Sequence, residues 1–489
     1  MSKQNRSQPF RSRLVEFFTE NSSIQFENFD KSTFLFSLFG FLVLTSLALL
    51  IRILIARYYR VEFPYRKDMP FWERSIIFNP NEQELCGFGD FNYYYITWAK
   101  QWYQSSSWTP YSNWEEINTA HPETMYSYPP LFLYFIVLFW RPGFSVFWIG
   151  FPIILTDAMC AGVVFLILKE IISGENQNPI AFFGGVLFTL TPLNLLYIGA
   201  YFLNPGPVTL LTLLSIYFAL RNNWKISFSW LALATMTKQN ALFFTYPLFM
   251  VFLAWKAHNK SIKHALLEGL FIIILFLFIC FILSLPYLFL SPADYGAHLL
   301  LPGRPLKFTG VIVIPTGAEC ITFIWSLLYL NAPGWLVNIV AYGNNSLLFF
   351  ILSAFLIVVL LSWRAINGEL TKADLLLALT CYGFLTHIFM PRGVFRFYFT
   401  YFTPLLLAGF LAFCFQKEHT LFLSSLLLVL ASSFYLGFNF GLLLLNRIFM
   451  PFYIFIWSVI LILCSLLSTI FRNQNFFFVP KYLPKKALL

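Results

Sequence analysis

Residues 34–56 read FLFSLFGFLVLTSLALLIRILIA, an almost unbroken apolar run. About 20 such residues in a helix cross the ~30 Å hydrocarbon core of a bilayer, and inside lipid a backbone must satisfy its own hydrogen bonds. The run is therefore read as a transmembrane helix. Runs of the same kind recur at 266–290, 347–361 and 421–445. The chain of 489 residues is 58% hydrophobic and 11% charged, with a mean hydropathy of +0.70. Soluble domains cannot bury that much apolar surface. The fold class that follows is all-α, a polytopic membrane protein, and the aromatic content is no argument for strands.

The formal charge of +10 does not form a nucleic-acid stripe, because the basic residues sit in short clusters between apolar runs. Read as a topology signal, they place the N-terminal tail with Lys3, Arg6, Arg11, Arg13 and Lys31 in the cytoplasm. Alternate threading then gives about twelve spans, that at 226–237 short for a bilayer, near 34–56, 146–168, 180–197, 207–220, 226–237, 241–255, 265–289, 335–362, 374–389, 397–415, 420–444 and 449–471. Each internal turn is basic: Lys169, Arg221 with Lys225, Lys256 with Lys260 and Lys263, Arg364 with Lys372, and Lys417. This divides the chain into a cytoplasmic tail 1–33, one transmembrane domain 34–471 and a second cytoplasmic tail 472–489. The seven Cys are scattered without metal or redox spacing, and the polar N-terminus argues against a cleaved signal peptide.

The same threading puts two long loops, 57–147 and 290–333, outside, together with Asn204, Lys238, Gln239, Arg392 and Arg396. The first loop carries Gly89-Asp90-Phe91, then Tyr93-Tyr94-Tyr95, Trp98, Trp102-Tyr103 and Tyr126-Ser127-Tyr128-Pro129-Pro130-Leu131. Around Asp90 the spacing fits an interfacial helix with an aromatic face, and the apolar piece 130–140 is too short to cross and reads as a second interfacial helix. Asp90 in such a partly dry, ring-lined place suits a general base, although a lone carboxylate on a loop is often only solvated. Tyr94, Trp98, Trp102 and Tyr128 are candidate sugar-stacking rings, with Asn204, Gln239 and Arg304 as polar substrate contacts. Lys238 and Arg396, with Arg392, His387 and Lys307 as further candidates, could hold a phosphate; simple snorkelling to headgroups explains their positions equally well. Asp157, within a span, must face the bundle interior, as a packing hydrogen bond or as support for catalysis. Glu115, Glu116 and Glu123 read as solvated. No phosphate-binding glycine loop, dinucleotide fingerprint or Asp-x-Asp metal pair is present, so no metal or cofactor is expected.

Gly89-Asp90-Phe91, Ile96-Thr97, Trp102-Tyr103, Trp114 and Tyr128-Pro129-Pro130-Leu131 resemble the first external loop of the GT-C glycosyltransferase superfamily. The likeness continues through Asp157, the stretch from Thr191-Pro192 to Asn204, and Lys238-Gln239, and is nearest to the ER glucosyltransferases that use dolichyl-phosphate-glucose. Departures are the reduced Tyr201-Phe202-Leu203-Asn204 and the replacement of a late His-Glu-Lys element by Arg392-Gly393-Val394-Phe395-Arg396. Prokaryotic mannosyltransferases of the same superfamily also look similar, so glucose and mannose both stay open. The resemblance implies a membrane enzyme of the ER or a prokaryotic plasma membrane, with its active site on the lumenal or extracytoplasmic face. It implies inverting transfer of a hexose from a polyprenyl- or dolichyl-phosphate carrier to a lipid-linked glycan, with Asp90 as base. Its partners would be donor, acceptor and membrane lipid, with no nucleic acid. The competing class is a transporter or flippase, for which no internal repeat is visible, and a non-catalytic subunit remains if neither activity is found.

Overall fold

The computed structural model describes residues 31–57, 90–104, 110–111, 126, 128–145, 147–174, 176–300, 320–321, 323–389, 394–415, 433, 435–441 and 449–472. Cys86, Glu115, Glu116, Glu123, Arg304, Lys307, Arg392 and most of both tails lie outside them. The helices are α1 (Lys31–Ala56), α2 (Ile96–Gln104), α3 (Pro130–Val137), α4 (Phe147–Ile171), α5 (Gln177–Thr189), α6 (Pro205–Leu220), α7 (Trp224–Thr237) and α8 (Leu242–Asn259). They continue with α9 (Ile262–Leu290), α10 (Pro292–Leu300), α11 (Phe323–Tyr329), α12 (Gly334–Asn345), α13 (Leu348–Ile366), α14 (Lys372–Ile388), α15 (Thr403–Cys414) and α16 (Met450–Arg472). Strands among the described residues are confined to β1 (Cys320–Ile321) and β2 (Val394–Phe395), which pair antiparallel.

Among the described residues six helices are long and apolar enough to cross a membrane: Phe34–Ala56, Phe147–Ile171, Gln177–Ala200, Gln239–Asn259, Ile262–Leu290 and Leu348–Ile366. Pro205–Leu220, Thr403–Ala412 and Met450–Ile460 are apolar but shorter. The span expected over 335–362 is interrupted: Asn344-Asn345-Ser346 precede Leu347, whose φ of 59° ends α12 before α13 begins. Polar side chains of that kind compete with helix hydrogen bonds, and a left-handed residue cannot continue the spiral. Most of the span expected over 420–444 lies outside the described residues.

Burial sorts the helices. In α4 78% of the most apolar window is buried, against 17% in both α1 and α9. Thus α4 is the axis, flanked by α1, α5 and α6, while one side of α1 and α9 is apolar and not covered by the described residues. Such a face on a helix of bilayer length is compatible with a membrane protein. On the other flank α7 packs on α6 and α9, α8 on α13, and α14 on α15 and α16.

The aromatic first loop forms a core of its own. Phe91, Tyr95, Trp98, Tyr111, Tyr126, Phe132 and Leu133 cluster on Ile149, Ile153 and Ile154 of α4 and reach Tyr287 and Tyr295 of α9 and α10. The helix expected over 130–140 exists as α3, ending at Val137, and it is packed rather than spread on an interface: Phe132, Leu133 and Ile136 have no exposed surface. Pro129 and Pro130 start it, since a proline at the first helical position sacrifices no hydrogen bond.

Candidate functional site

Asp90 begins a π-helical turn, Asp90–Tyr95, that runs into α2. The local period sends Phe91 and Tyr95 into the loop core and leaves Asp90 half-buried at its edge. Phe91 meets Phe202 edge to face, ring centroids 5.1 Å apart. Phe202 is held at φ 57°, a strained state for a bulky residue. Its ring fills the place a side chain would occupy at position 150, where a Cβ on Gly150 would lie 2.0 Å from the Phe202 ring.

Two residues beyond Phe202, Asn204 precedes Pro205 at the start of α6 and caps nothing with its side chain. Gly206 lets this end of α6 press against α4, since a Cβ there would sit 2.5 Å from the Ile153 carbonyl oxygen. The freed Asn204 amide is spent between two other groups. Lys238 Nζ donates to Asn204 Oδ1 at 2.6 Å, and Asn204 Nδ2 donates to the Tyr128 hydroxyl at 2.6 Å. Lys238 itself is extended, φ −156° and ψ 132°, and stops α7. Its ammonium stands 3.9 Å from the Tyr398 ring centroid and 5.5 Å from that of Phe397. It is 5% exposed, and among the described residues no carboxylate lies within salt-bridge distance.

Electrostatics tie Asp90 to this group. Burial lowers the Lys238 ammonium from its ordinary value to about 7, and the Asp90 carboxylate offsets only part of that. Burial, then Asp90, pushes the Tyr95 hydroxyl well up; for Tyr128 the order is burial, Tyr95, then Asp90. Both phenols therefore stay protonated near neutral pH and cannot act as bases. The carboxylate whose charge reaches all three is Asp90.

Several sequence-chosen residues thus converge: Asp90, Tyr128, Asn204 and Lys238. Gln239 is half-buried beside Lys238, and Arg396 opens the turn Arg396–Tyr401 that carries Phe397 and Tyr398. The rings proposed as stacking surfaces divide. Trp98 is 1% exposed, stacked on Tyr95 at 5.6 Å and met edge-on by Tyr126 and Tyr128, so it belongs to the loop core and has no face left for a ligand. Tyr94 is half-buried against Trp98, and Trp102 is exposed with Tyr134 at its edge. His387 is buried at the end of α14, with Nδ1 2.8 Å from the Gly383 carbonyl and Nε2 3.1 Å from Asn240 Nδ2. Both ring nitrogens are thus engaged within the protein. Arg304 and Arg392 lie outside the described residues.

Sequence reasoning passed over Phe397, Tyr398 and Asn240. The signal for the first two was present, as an aromatic pair directly following Arg396. It also passed over Arg52, inside the very run that decides the fold. Arg52 Nε donates to Asp157 Oδ2 at 2.5 Å, and Asn194 Nδ2 donates to Asp157 Oδ1 at 2.8 Å, all three side chains being fully buried. Asp157 is therefore a partner in an internal ion pair. A buried cation requires such a partner, and Asp157 supplies it.

No family model, curated protein or solved structure matches this chain.

Proposed function

We propose that the protein is a GT-C-like glycosyltransferase of about a dozen spans, with its site on the external face, taking a hexose from a polyprenyl-phosphate carrier to a hydroxyl of a lipid-linked glycan. The observation that carries this reading is the Lys238 ammonium: buried, without a paired carboxylate among the described residues, and linked through Asn204 to Tyr128 within the field of Asp90. A desolvated cation with no counter-charge is costly unless an anion completes it. A lipid phosphate monoanion is the anion that a membrane donor brings.

In the proposed step the acceptor hydroxyl oxygen attacks the anomeric carbon on the face opposite the phosphate. The bond from that carbon to the phosphate oxygen breaks and its electron pair leaves with the lipid phosphate. Asp90 takes the hydroxyl proton, and Lys238 stabilises the charge growing on the departing phosphate. Asn204 holds the ammonium in place, and the Tyr398 and Phe397 faces favour its charged form. Arg396 lies on the same segment as those rings and is a second candidate for the phosphate.

The test is transfer by purified, reconstituted protein from defined polyprenyl-phosphate glucose and mannose. Asp90→Asn should fold like the wild type and lose about 10²-fold to 10⁴-fold in rate, the range for a general base. Turnover by that variant at the wild-type rate removes Asp90 from the mechanism.

A further inference from the structure

We infer that Asn240, rather than His387, meets the substrate, accepting a hydroxyl of the transferred sugar, and that His387 is its positioning residue. The inference rests on the glycosyltransferase reading and concerns a side chain that reading does not use. Its root is the proton count on one imidazole. The Gly383 carbonyl can only accept, so the His387 Nδ1 at 2.8 Å carries a hydrogen. His387 is 1% exposed and packs against the Tyr398 ring, centroids 6.4 Å apart, while Lys238 occupies that same ring at 3.9 Å. A second buried cation so near the first is unfavourable, which leaves Nε2 without a proton and able only to accept.

The consequence falls on Asn240. Its contact with Nε2, 3.1 Å long, must be made by the amide nitrogen, and this fixes which end of the carboxamide is which. Oδ1 is then turned away from the ring with no partner among the described residues. Asn240 is half-buried, two residues from Lys238, on the turn Gln239–Ala241. The His387 ring is itself clamped by Phe402 at 4.9 Å and by Phe243 at 6.2 Å, so the amide is held by a rigid support. A fixed carbonyl-type acceptor beside a phosphate-binding cation is suited to a hydroxyl on the sugar that the phosphate bears. Such an acceptor also rejects an analogue lacking the hydroxyl, because it is then left desolvated and unpaired.

The experiment measures kcat/KM for reconstituted wild type, Asn240→Ala, Asn240→Ser, His387→Leu and His387→Gln. The donors are the polyprenyl-phosphate hexose that the wild type uses and its singly deoxygenated analogues. Wild type should discriminate against one analogue by roughly tenfold to a hundredfold. Asn240→Ala and Asn240→Ser should lose that discrimination, slowing more on the full hexose than on that analogue. His387→Leu should lose it too, and His387→Gln, whose Oε1 can still accept from Asn240, should recover most of it; a purely structural histidine would show no such rescue. Retained discrimination in Asn240→Ala, or equal losses on every donor, overturns the inference and leaves the glycosyltransferase reading standing. Absence of transfer by the wild type from any polyprenyl-phosphate hexose overturns both.

Discussion

The molecule buries two cations in opposite ways. Arg52 is fully enclosed between α1 and α4 and meets Asp157 at 2.5 Å, with Asn194 on the other carboxylate oxygen. Lys238 is almost as deeply buried yet has an amide oxygen and two ring faces in place of a carboxylate. The first arrangement pairs its cation with a carboxylate inside the protein. The second, when charged, has no paired carboxylate among the described residues and is open to an anion. A buried charge is thus informative about function according to whether its partner is already in the protein.

Exchanging the two cations for apolar residues should separate these roles. The largest effect belongs to Lys238→Met, which should cut transfer by about 10²-fold to 10³-fold, as loss of one preorganised donor does. Its thermal unfolding temperature should stay level or rise, since an uncompensated charge has gone. Loss of activity together with loss of fold would place Lys238 in the same class as Arg52. Arg52→Leu should do the reverse, destabilising by about 3–5 kcal/mol because Asp157 is left charged and alone. Adding Asp157→Leu should recover most of that loss in thermal unfolding of the solubilised protein. Protein that remains folded should transfer at a rate close to the wild type.

A smaller effect is expected at Gly150→Ala, where the new methyl group collides with the Phe202 ring. Overpacking of this kind costs about 1–3 kcal/mol, and because Phe202 leads into Asn204 the transfer rate should fall as well. Unchanged activity in a destabilised Gly150→Ala would show that the strained turn does not position the site. The smallest effect is with pH. In the free protein Lys238 is charged below about 7 and neutral above it, so donor binding should weaken as pH rises through that point. The limit is about tenfold per pH unit, and Lys238→Met should lack the dependence.

Much of the fold was legible because lipid imposes a simple rule on sequence. Runs at 34–56 and 266–290 gave helices within a few residues of their actual ends. The failures were local. Nothing in the apolar pattern of 335–362 marks Leu347 as left-handed; the preceding Asn344-Asn345-Ser346 was the clue, and apolar runs on both sides masked it. Among the residues that the fold brings together, those whose chemistry is exposed in their type were legible, as with Asp90 and Lys238. Those whose role depends on what they touch were not. Trp98 looks like a ligand platform by type and is core by packing, whereas Asn240 looks like a turn residue and gains meaning only from the imidazole beside it. Arg52 was hidden by the hydrophobicity of the run that contains it.

One ring deserves a last inference. Phe202 touches Phe91, the neighbour of Asp90, and stands two residues before Asn204, which holds Lys238. It therefore links the segment that carries the acid to the segment that holds the cation. Its strained backbone at φ 57° persists because the ring is fixed on both sides, by Phe91 and by the space that Gly150 leaves open.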